Sequence, residues 1–388
     1  MSGAASLTGL VVAVVLGGGA GWLMNRFVGW MLAEIAAADA AVGDDPPPAR
    51  LAPVGWTAAG GCLVAGGLWW WEVIAGGLLP SGVVGPATET TAVLGRVASH
   101  LLFFWFLAAA AWIDIRYRVI PDVITTPGVL LALLVAWCLP ESFLPVEVMQ
   151  SRSFAAPVES AAGLAAWGTL ASPTAGPSLV AGGIVLGLFL LWWATCTAPF
   201  FEVAAASAEG CPRRIPAWLA EPRLVILVGG CLGCLVAAWC GGLRFAALES
   251  ALIGLTVSAG LVWLTRVGAT WALGREAMGM GDVTLMAMVG AWLGWQPAVL
   301  TFFLATFLGL GHGLFQIVRH RENELPYGPS LCLAAALITV FWRPVWRLSQ
   351  DFFVDVLQLG LVLGLVVILT AVTLFIWRWL RGLGEPAA

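Results

Sequence analysis

Long apolar runs constrain this chain more than any other feature of its sequence. Leu7 to Met24, Leu224 to Trp239 and Leu357 to Trp377 approach or exceed the roughly 18–20 residues that a helix needs to cross a bilayer. The 388 residues are 60% hydrophobic and 10% charged, whereas soluble domains carry about 25% charged residues. The sequence therefore predicts an all-α fold, a polytopic integral membrane helical bundle with about 9–11 transmembrane helices.

Apolar runs and arginine positions together predict the order of the spans. The two short spans, near 283–294 and 328–342, are expected to be half-length or tilted, and to be tolerated only when packed among other helices. The predicted spans lie near 7–24, 57–79, 93–113, 123–139, 176–199, 223–243, 247–265, 283–294, 298–318, 328–342 and 354–377.

Arginine alone predicts the orientation, because the sequence contains no lysine. Arginines at or near positions 26, 50, 116, 118, 213, 214, 266, 275, 319, 321, 378 and 381 would mark cytoplasmic ends. This assignment places the N-terminus outside and the C-terminus inside. Arg343 and Arg347 fit it less well, because alternation of the spans places them outside.

The remaining composition argues against several classes of function. The net charge is −4 and no basic block is present, which excludes nucleic acid as an expected partner. Cys231 and Cys234 have the spacing of a metal or redox motif, but they sit inside an apolar run, where packing is the preferred interpretation. The three histidines form no Ser-His or Cys-His nucleophile pattern, and His100 is expected to have a hydrogen-bonded packing role.

Two acidic residues lie at predicted cytoplasmic ends of apolar spans, where an ionisable group needs a reason to be present. Asp114 ends the run Ala-Ala-Trp-Ile-Asp, and Asp282 follows Met-Gly-Met-Gly and begins the next run. Two carboxyls brought together share one proton, so the ionised member can activate water while the protonated member donates to a peptide carbonyl. Each residue alone has a simpler interpretation, a helix cap for Asp282 and an arginine partner for Asp114.

The surrounding residues resemble those of the prepilin peptidase family. Asp114 lies six residues before Ile-Pro-Asp, followed by Thr-Thr-Pro, and the second block is Gly279-Met280-Gly281-Asp282 with a downstream apolar helix. Weaker matches are Gly-Trp-Leu-Met-Asn at 21–25, Glu72, and Pro-Tyr-Gly-Pro at 326–329. The resemblance implies a membrane aspartyl protease of the G-x-G-D class that cleaves type IV prepilins or pseudopilins at the end of a basic leader.

The same resemblance implies residue roles. Asp114 and Asp282 match the catalytic aspartates, while Asp122 matches a frequent acidic position that is not catalytic and is expected to shape the turn around Pro121. The remaining motif positions expected to position substrate are Gly279, Gly281, Pro326, Gly328 and Pro329.

The chain departs from the family at three places. The predicted cytoplasmic loop, residues 27–53, contains none of the cysteines that hold zinc in many members. We therefore expect no metal or other cofactor, and N-methyltransferase activity is doubtful. Thr284 replaces the family's usual lysine. The long separation of the aspartates predicts an insertion at 140–250, between an N-terminal membrane part at 1–139 and a C-terminal part at 251–388.

Three other interpretations stay open. A G-x-G-D intramembrane protease with a non-pilin substrate keeps the mechanism and changes the substrate. A membrane transporter or scaffold would use the aspartates for proton relay or arginine pairing, although no repeated halves are evident. An inactive family member is the third. The bilayer and a prepilin or pseudopilin are the expected partners, and the sequence does not indicate an oligomeric state.

Overall fold

A computed structural model describes residues 3–42, 53–78, 89–148, 154–157, 179–196, 222–274, 278–319, 327–353 and 356–382. Helices make up nearly all of this part of the chain, as expected for an all-α fold. The exception is a short antiparallel hairpin, in which β1 (Pro145–Val148) pairs with β2 (Phe154–Pro157).

The N-terminal part contains four helices. They are α1 (Gly3–Val42), α2 (Val54–Trp69), α3 (Thr90–Tyr117) and α4 (Asp122–Cys138). A π-helical turn, Trp70–Ile74, continues α2. A single 3₁₀ turn, Pro140–Ser142, leads from α4 to the hairpin.

The middle of the chain contributes two helices, α5 (Leu179–Cys196) and α6 (Pro222–Cys240). They pack against each other, and α5 also packs against α7 (Gly242–Leu273), the helix that follows α6.

The C-terminal part continues with α8 (Met280–Leu293), α9 (Trp295–Arg319) and α10 (Gly328–Val340). A short amphipathic helix, α11 (Trp342–Ser349), and a 3₁₀ turn (Gln350–Phe353) precede α12 (Val356–Gly382). The axes of α10 and the segment 342–353 are bent by 89°.

The helices confirm a multi-pass membrane protein. Four are long and apolar enough to cross a membrane, and the bent pair beginning at Gly328 gives a fifth candidate. Five shorter apolar helices accompany them among the described residues. Each of the eleven predicted spans corresponds to a helix, although α4, α8 and α10, with 17, 14 and 13 residues, are too short to span a bilayer upright.

The predicted loop at 27–53 needs correction. Helix α1 continues to Val42, so the first part of this segment is helical. The reason is local, because residues 33–41 contain six alanines, the residue with the highest helix propensity. Residues 43–52 lie outside the described part of the chain.

Helix α8 forms the centre of the bundle. It is apolar on all sides, and every residue from 283 to 293 is buried, as expected for a helix surrounded by other helices. It packs against α7, α4, α9 and α10. This burial confirms that a short span is tolerated where other helices enclose it.

Glycines bring pairs of helices into backbone contact. A Cβ atom at Gly290 of α8 would collide with the carbonyl oxygen of Gly254 of α7, and the reverse also holds. Gly17 and Gly61 have the same relation across α1 and α2. Gly17 and Gly21 of the glycine-rich stretch at 17–21 therefore serve close helix packing.

Candidate active site

Asp114 lies in the last turn of α3, and its residue is only 4% exposed. The helix ends because Arg118 adopts the left-handed conformation, with φ of 55°, and its N–H donates to the carbonyl oxygen of Asp114 at 2.8 Å. Non-glycine residues rarely adopt the left-handed conformation. Helices nevertheless often end at a residue in this conformation. The chain then turns through Pro121 into α4, so Asp114 sits beside a sharply defined corner.

Asp282 lies in the first turn of α8, which begins after Gly279 in an extended conformation. Arg266 of α7 fixes the segment just before this turn, because its Nε donates to the carbonyl oxygen of Met278 at 2.8 Å. This role of Arg266 escaped the sequence analysis, which treated the residue only as a topology marker. The backbone just before Asp282 is therefore held in place by Arg266.

The structure brings the helix ends that carry Asp114 and Asp282 together, although 168 residues separate the two aspartates in sequence. Ile120 lies between them, because a Cβ atom at Gly281, the residue before Asp282, would lie 3.0 Å from the Cβ atom of Ile120, and Gly328 approaches both Ile120 and the Asp114 carboxyl. The start of α10 closes this group, since the backbone N–H of Gly328 hydrogen-bonds to the Asp114 carboxyl. The second carboxyl oxygen, Oδ2 of Asp114, is buried and has no hydrogen-bond partner. An oxygen in that state is available to a reacting water or a substrate group.

At two motif positions glycine is required because a side chain would come too close to a neighbouring residue, not because the backbone angles are unusual. A Cβ atom at Gly281 would lie 3.0 Å from Cβ and 3.1 Å from the carbonyl oxygen of Ile120. A Cβ atom at Gly328 would collide with Oδ2 of Asp114. Gly279 differs from both, because its φ of −69° suits any residue and its nearest neighbouring atom would be 3.9 Å away. Only Gly281 and Gly328 therefore need to lack a side chain.

The other predicted site residues flank this group. The Asp122 carboxyl faces the hydroxyl groups of Thr284 and Thr125. Pro121 precedes α4 in an extended conformation, and Pro329 occupies the first turn of α10, where its missing N–H costs no hydrogen bond. Pro326 lies outside the described residues.

Tyr327 and Cys332 also belong to the site, although no sequence motif assigned them a role. The Tyr327 hydroxyl forms a hydrogen bond of 3.2 Å with that of Thr306. Burial raises the pKa of Tyr327 to about 12, with a further contribution from Asp282, so the phenol keeps its proton at neutral pH. Cys332 lies one turn along α10 from Gly328, near both aspartates. Tyr327 caps the start of α10 and Cys332 lies one turn after Gly328, so both positions could be assigned to the site only once α10 was placed.

A second polar cluster lies at the other end of α3. Nδ1 of His100 and Oε1 of Glu72 are joined by a hydrogen bond of 2.6 Å, and Nε of Arg96 lies 3.5 Å from Oε2 of Glu72. All three side chains are buried. The packing role expected for His100 is thus confirmed. Arg96 and Asp114 are 18 residues apart, roughly 27 Å along the helix axis, so this cluster is separate from the aspartates.

The free cysteines include Cys231, half-buried, and Cys234, buried, both on α6. Among the described residues, no three His, Cys, Asp or Glu side chains are grouped as metal ligands.

With this geometry established, the region from α6 to α9 is similar to known proteins. Residues 213–314 match the type IV leader peptidase family. This segment contains Asp282 and ends before Gly328, so it covers one of the two aspartates. The matching segment forms about a quarter of the chain.

Several curated relatives carry the name prepilin leader peptidase/N-methyltransferase. The protein of Aeromonas hydrophila is 34% identical over 101 residues, covering 25% of this chain and 34% of the relative. The protein of Pseudomonas aeruginosa is 36% identical over 111 residues, covering 28% and 38%. The protein of Dickeya chrysanthemi is 32% identical over 154 residues, covering 39% and 50%.

The aligned part of the chain thus spans between about a third and a half of these relatives. No solved structure matches the chain.

Proposed function

We propose that this chain is a membrane aspartyl endopeptidase that removes the basic leader from type IV prepilins or type II secretion pseudopilins. The observation that carries the proposal is the convergence of the helix ends that carry Asp114 and Asp282, where Gly281 packs against Ile120 and Gly328 packs against Ile120 and the Asp114 carboxyl. The match of residues 213–314 to leader peptidases supports the same chemistry.

The two carboxyls supply both functions that peptide hydrolysis requires. One, ionised, takes a proton from the attacking water, and the other, protonated, donates to the carbonyl oxygen of the scissile bond. The tetrahedral intermediate then collapses as the amine leaves with a proton, and the carboxyls exchange roles. No covalent enzyme intermediate forms. Burial of Asp114 excludes bulk water and strengthens these interactions.

Three further assignments complete the proposal. The aspartates face the cytoplasm in a bacterial inner membrane, on the basis of the arginine distribution. Gly281 and Gly328 permit the close backbone approach that shapes the site, and Asp122 acts as a positioning residue through Thr284. We place an insertion at 140–250, between two membrane parts that carry one aspartate each, and its last part, from residue 213, overlaps the segment that matches the leader peptidase family.

The alternative within the same chemistry is a G-x-G-D intramembrane protease with a non-pilin substrate. The buried pair of aspartates supports both proteases equally, so substrate choice has to separate them. A transporter that relays protons is less well supported, because the sequence shows no repeat-like halves with interrupted helices.

The test is cleavage of candidate prepilins and pseudopilins in membranes that contain the wild-type chain, Asp114→Asn, Asp282→Asn or Asp122→Asn at equal abundance. We expect the first two variants to lose at least about 10³-fold in cleavage rate, because each removes one half of the acid–base pair. Asp122→Asn should lower the cleavage rate by no more than about tenfold relative to the wild type, because it displaces a reacting group without removing one. Full activity of Asp114→Asn would refute the proposed pair.

The substrate panel also separates the alternatives. Cleavage of a helical membrane protein that lacks a basic leader, with no cleavage of any prepilin or pseudopilin, would favour the other intramembrane protease.

A further inference from the structure

An apolar groove adjoins the helix that carries Asp282. It lies between α5, α7 and α8 and encloses about 260 Å³, close to the lower end of the ~300–1,000 Å³ range of ligand pockets. Met280 and Val283 of α8 form one wall, Trp192 and Cys196 of α5 form another, and Gly260 of α7 lies in the floor.

The groove offers no free polar group to an occupant. Its two hydroxyls are already used, since Thr195 donates to the carbonyl oxygen of Leu191 and Thr256 donates to that of Leu252, both at 2.8 Å. A polar occupant would lose its hydrogen bonds to water without replacement. The occupant must therefore be apolar.

The groove begins at the depth of Asp282. Ser258 of α7 donates to the carbonyl oxygen of Met286, and Arg266 donates to that of Met278, so α7 and α8 run antiparallel with Trp263 level with the first turn of α8. From Trp263 the groove follows α7 to Leu255, about 12 Å deeper into the bundle. The C-terminal end of α5 agrees with this placement, because Thr195 and Cys196 line the same groove as Met280 and Val283 from the first turn of α8.

We infer that this groove receives the apolar, membrane-inserted segment that follows the cut bond of the substrate. The inference rests on the proposed function and adds a binding site for the part of the substrate that is not removed. It also gives α5, in the proposed insertion, a role in substrate selection.

The geometry sets where the substrate enters. Met280 and Val283 share one face of α8, while Asp282 lies on another face of the same turn. A chain leaving the aspartates must pass around the helix, a path of about 10 Å that three extended residues cover. Apolar side chains from about the fourth residue after the cut bond therefore occupy the groove.

Gly260 provides the test, because a Cβ atom there would meet no atom within 4 Å. A leucine at this position fills the groove without disturbing the fold. Gly233→Leu is the matched control, since Gly233 has equal free space but lines a second apolar groove between α4, α5 and α6. Gly187→Leu, on the exposed surface of α5, is the control for added bulk alone.

The experiment compares two substrates, a prepilin or pseudopilin that the wild-type chain cleaves and a peptide from it that ends three residues after the cut bond. We expect Gly260→Leu to lower kcat/KM for the full substrate about tenfold or more, the usual effect of losing a hydrophobic contact. Its effect on the short peptide should be clearly smaller. Both control variants should behave as wild type.

Two outcomes would overturn the inference. Equal cleavage of the full substrate by Gly260→Leu and wild type would mean that the groove holds only lipid chains. An equal loss for both substrates would mean that the leucine disturbs the aspartates instead. In either case, the proposed protease function would still stand if Asp282→Asn is inactive and the wild type is active. The two proposals can therefore fail independently.

A crosslink gives an independent measure. With Ala259→Cys as the sole cysteine, the native cysteines changed to serine, and in an Asp282→Asn background, we expect disulfides to substrate cysteines placed at the fifth to eighth residue after the cut bond and none to cysteines in the leader. Crosslinking to the leader alone would reverse the assigned direction and contradict the inference.

Discussion

Gly328 shows how a single missing side chain shapes the site at the scale of one residue. Its backbone N–H hydrogen-bonds to the Asp114 carboxyl, and its Cα occupies the space next to Oδ2. Any side chain there must displace either the aspartate or the start of α10. The glycine is therefore part of the geometry of the acid–base pair.

We predict that Gly328→Ala lowers the cleavage rate about 10²-fold, the effect of moving a reacting group by roughly 1 Å. The measurement is prepilin cleavage at equal protein abundance. Gly360→Ala on α12, where a Cβ atom meets nothing within 4 Å, is the control and should cleave normally. Wild-type cleavage by Gly328→Ala would show that the site absorbs the extra methyl group.

Sequence reasoning was strongest for the residues of the two aspartate motifs and weakest for their neighbours. Asp114 and Asp282 were singled out because each lies at the end of an apolar run, and Gly328 was singled out only by the family resemblance of the residues around it. Tyr327 and Arg266 could not be assigned in the same way. Their roles depend on contacts between helices distant in sequence, and no local pattern records which helices meet.

At the scale of elements, the π-helical turn at 70–74 presents a buried glutamate to α3. Glu72 contacts both His100 and Arg96, and all three side chains are withdrawn from solvent. The same turn reaches α10, because Nε1 of Trp71 donates to the carbonyl oxygen of Val340 at 2.9 Å. The turn thus links α2, α3 and α10 at the end of the bundle away from the aspartates.

We predict that Arg96→Met destabilises the protein by about 3–5 kcal/mol, because it leaves the Glu72 charge buried without its cation. The measurement is the free energy of unfolding in detergent. Arg116→Met, at the exposed end of the same helix, is the matched control and should change stability little. An unchanged stability for Arg96→Met would mean that Glu72 is neutral in the folded protein.

The contact between α7 and α8 carries a separate prediction. Gly290→Ala should destabilise the bundle by about 1–3 kcal/mol, because the new methyl group overlaps the carbonyl oxygen of Gly254. Thermal unfolding in detergent would measure the loss. Gly268→Ala is a suitable comparison, since its methyl group would make an ordinary contact of 3.5 Å with Ala371. Equal melting temperatures for the two variants would show that moving α7 and α8 apart costs little free energy.

At the scale of the whole molecule, the sequence predicted the number and order of helices well and their lengths less well. Apolar runs mark the centres of helices, but capping and packing decide where they end. Helix α1 passes beyond its apolar run through an alanine-rich segment, and α11 was not anticipated. Arg343 and Arg347, which fit the arginine pattern poorly, lie on α11, after an 89° bend from α10.

The orientation of the whole molecule is testable with two positions at opposite ends of α4. Val119 is exposed just before this 17-residue helix, and Cys138 is exposed at its end, about 25 Å away along the axis. With the other cysteines changed to serine, we expect an impermeant thiol reagent to label Val119→Cys only from the cytoplasmic side and Cys138 only from outside. The reverse pattern would place the aspartates on the outer face.

The spacing of glycines along α7 has a consequence for how such a protein changes over generations. Gly254 touches the backbone of α8 and admits no replacement without moving the helix that holds Asp282, whereas Gly260, six residues further, faces open space. Substitutions at the second position alter which apolar segment fits while the first keeps the chemistry in place. Substitutions at position 260 can thus give related proteins new substrates while Gly254 stays unchanged on the same helix.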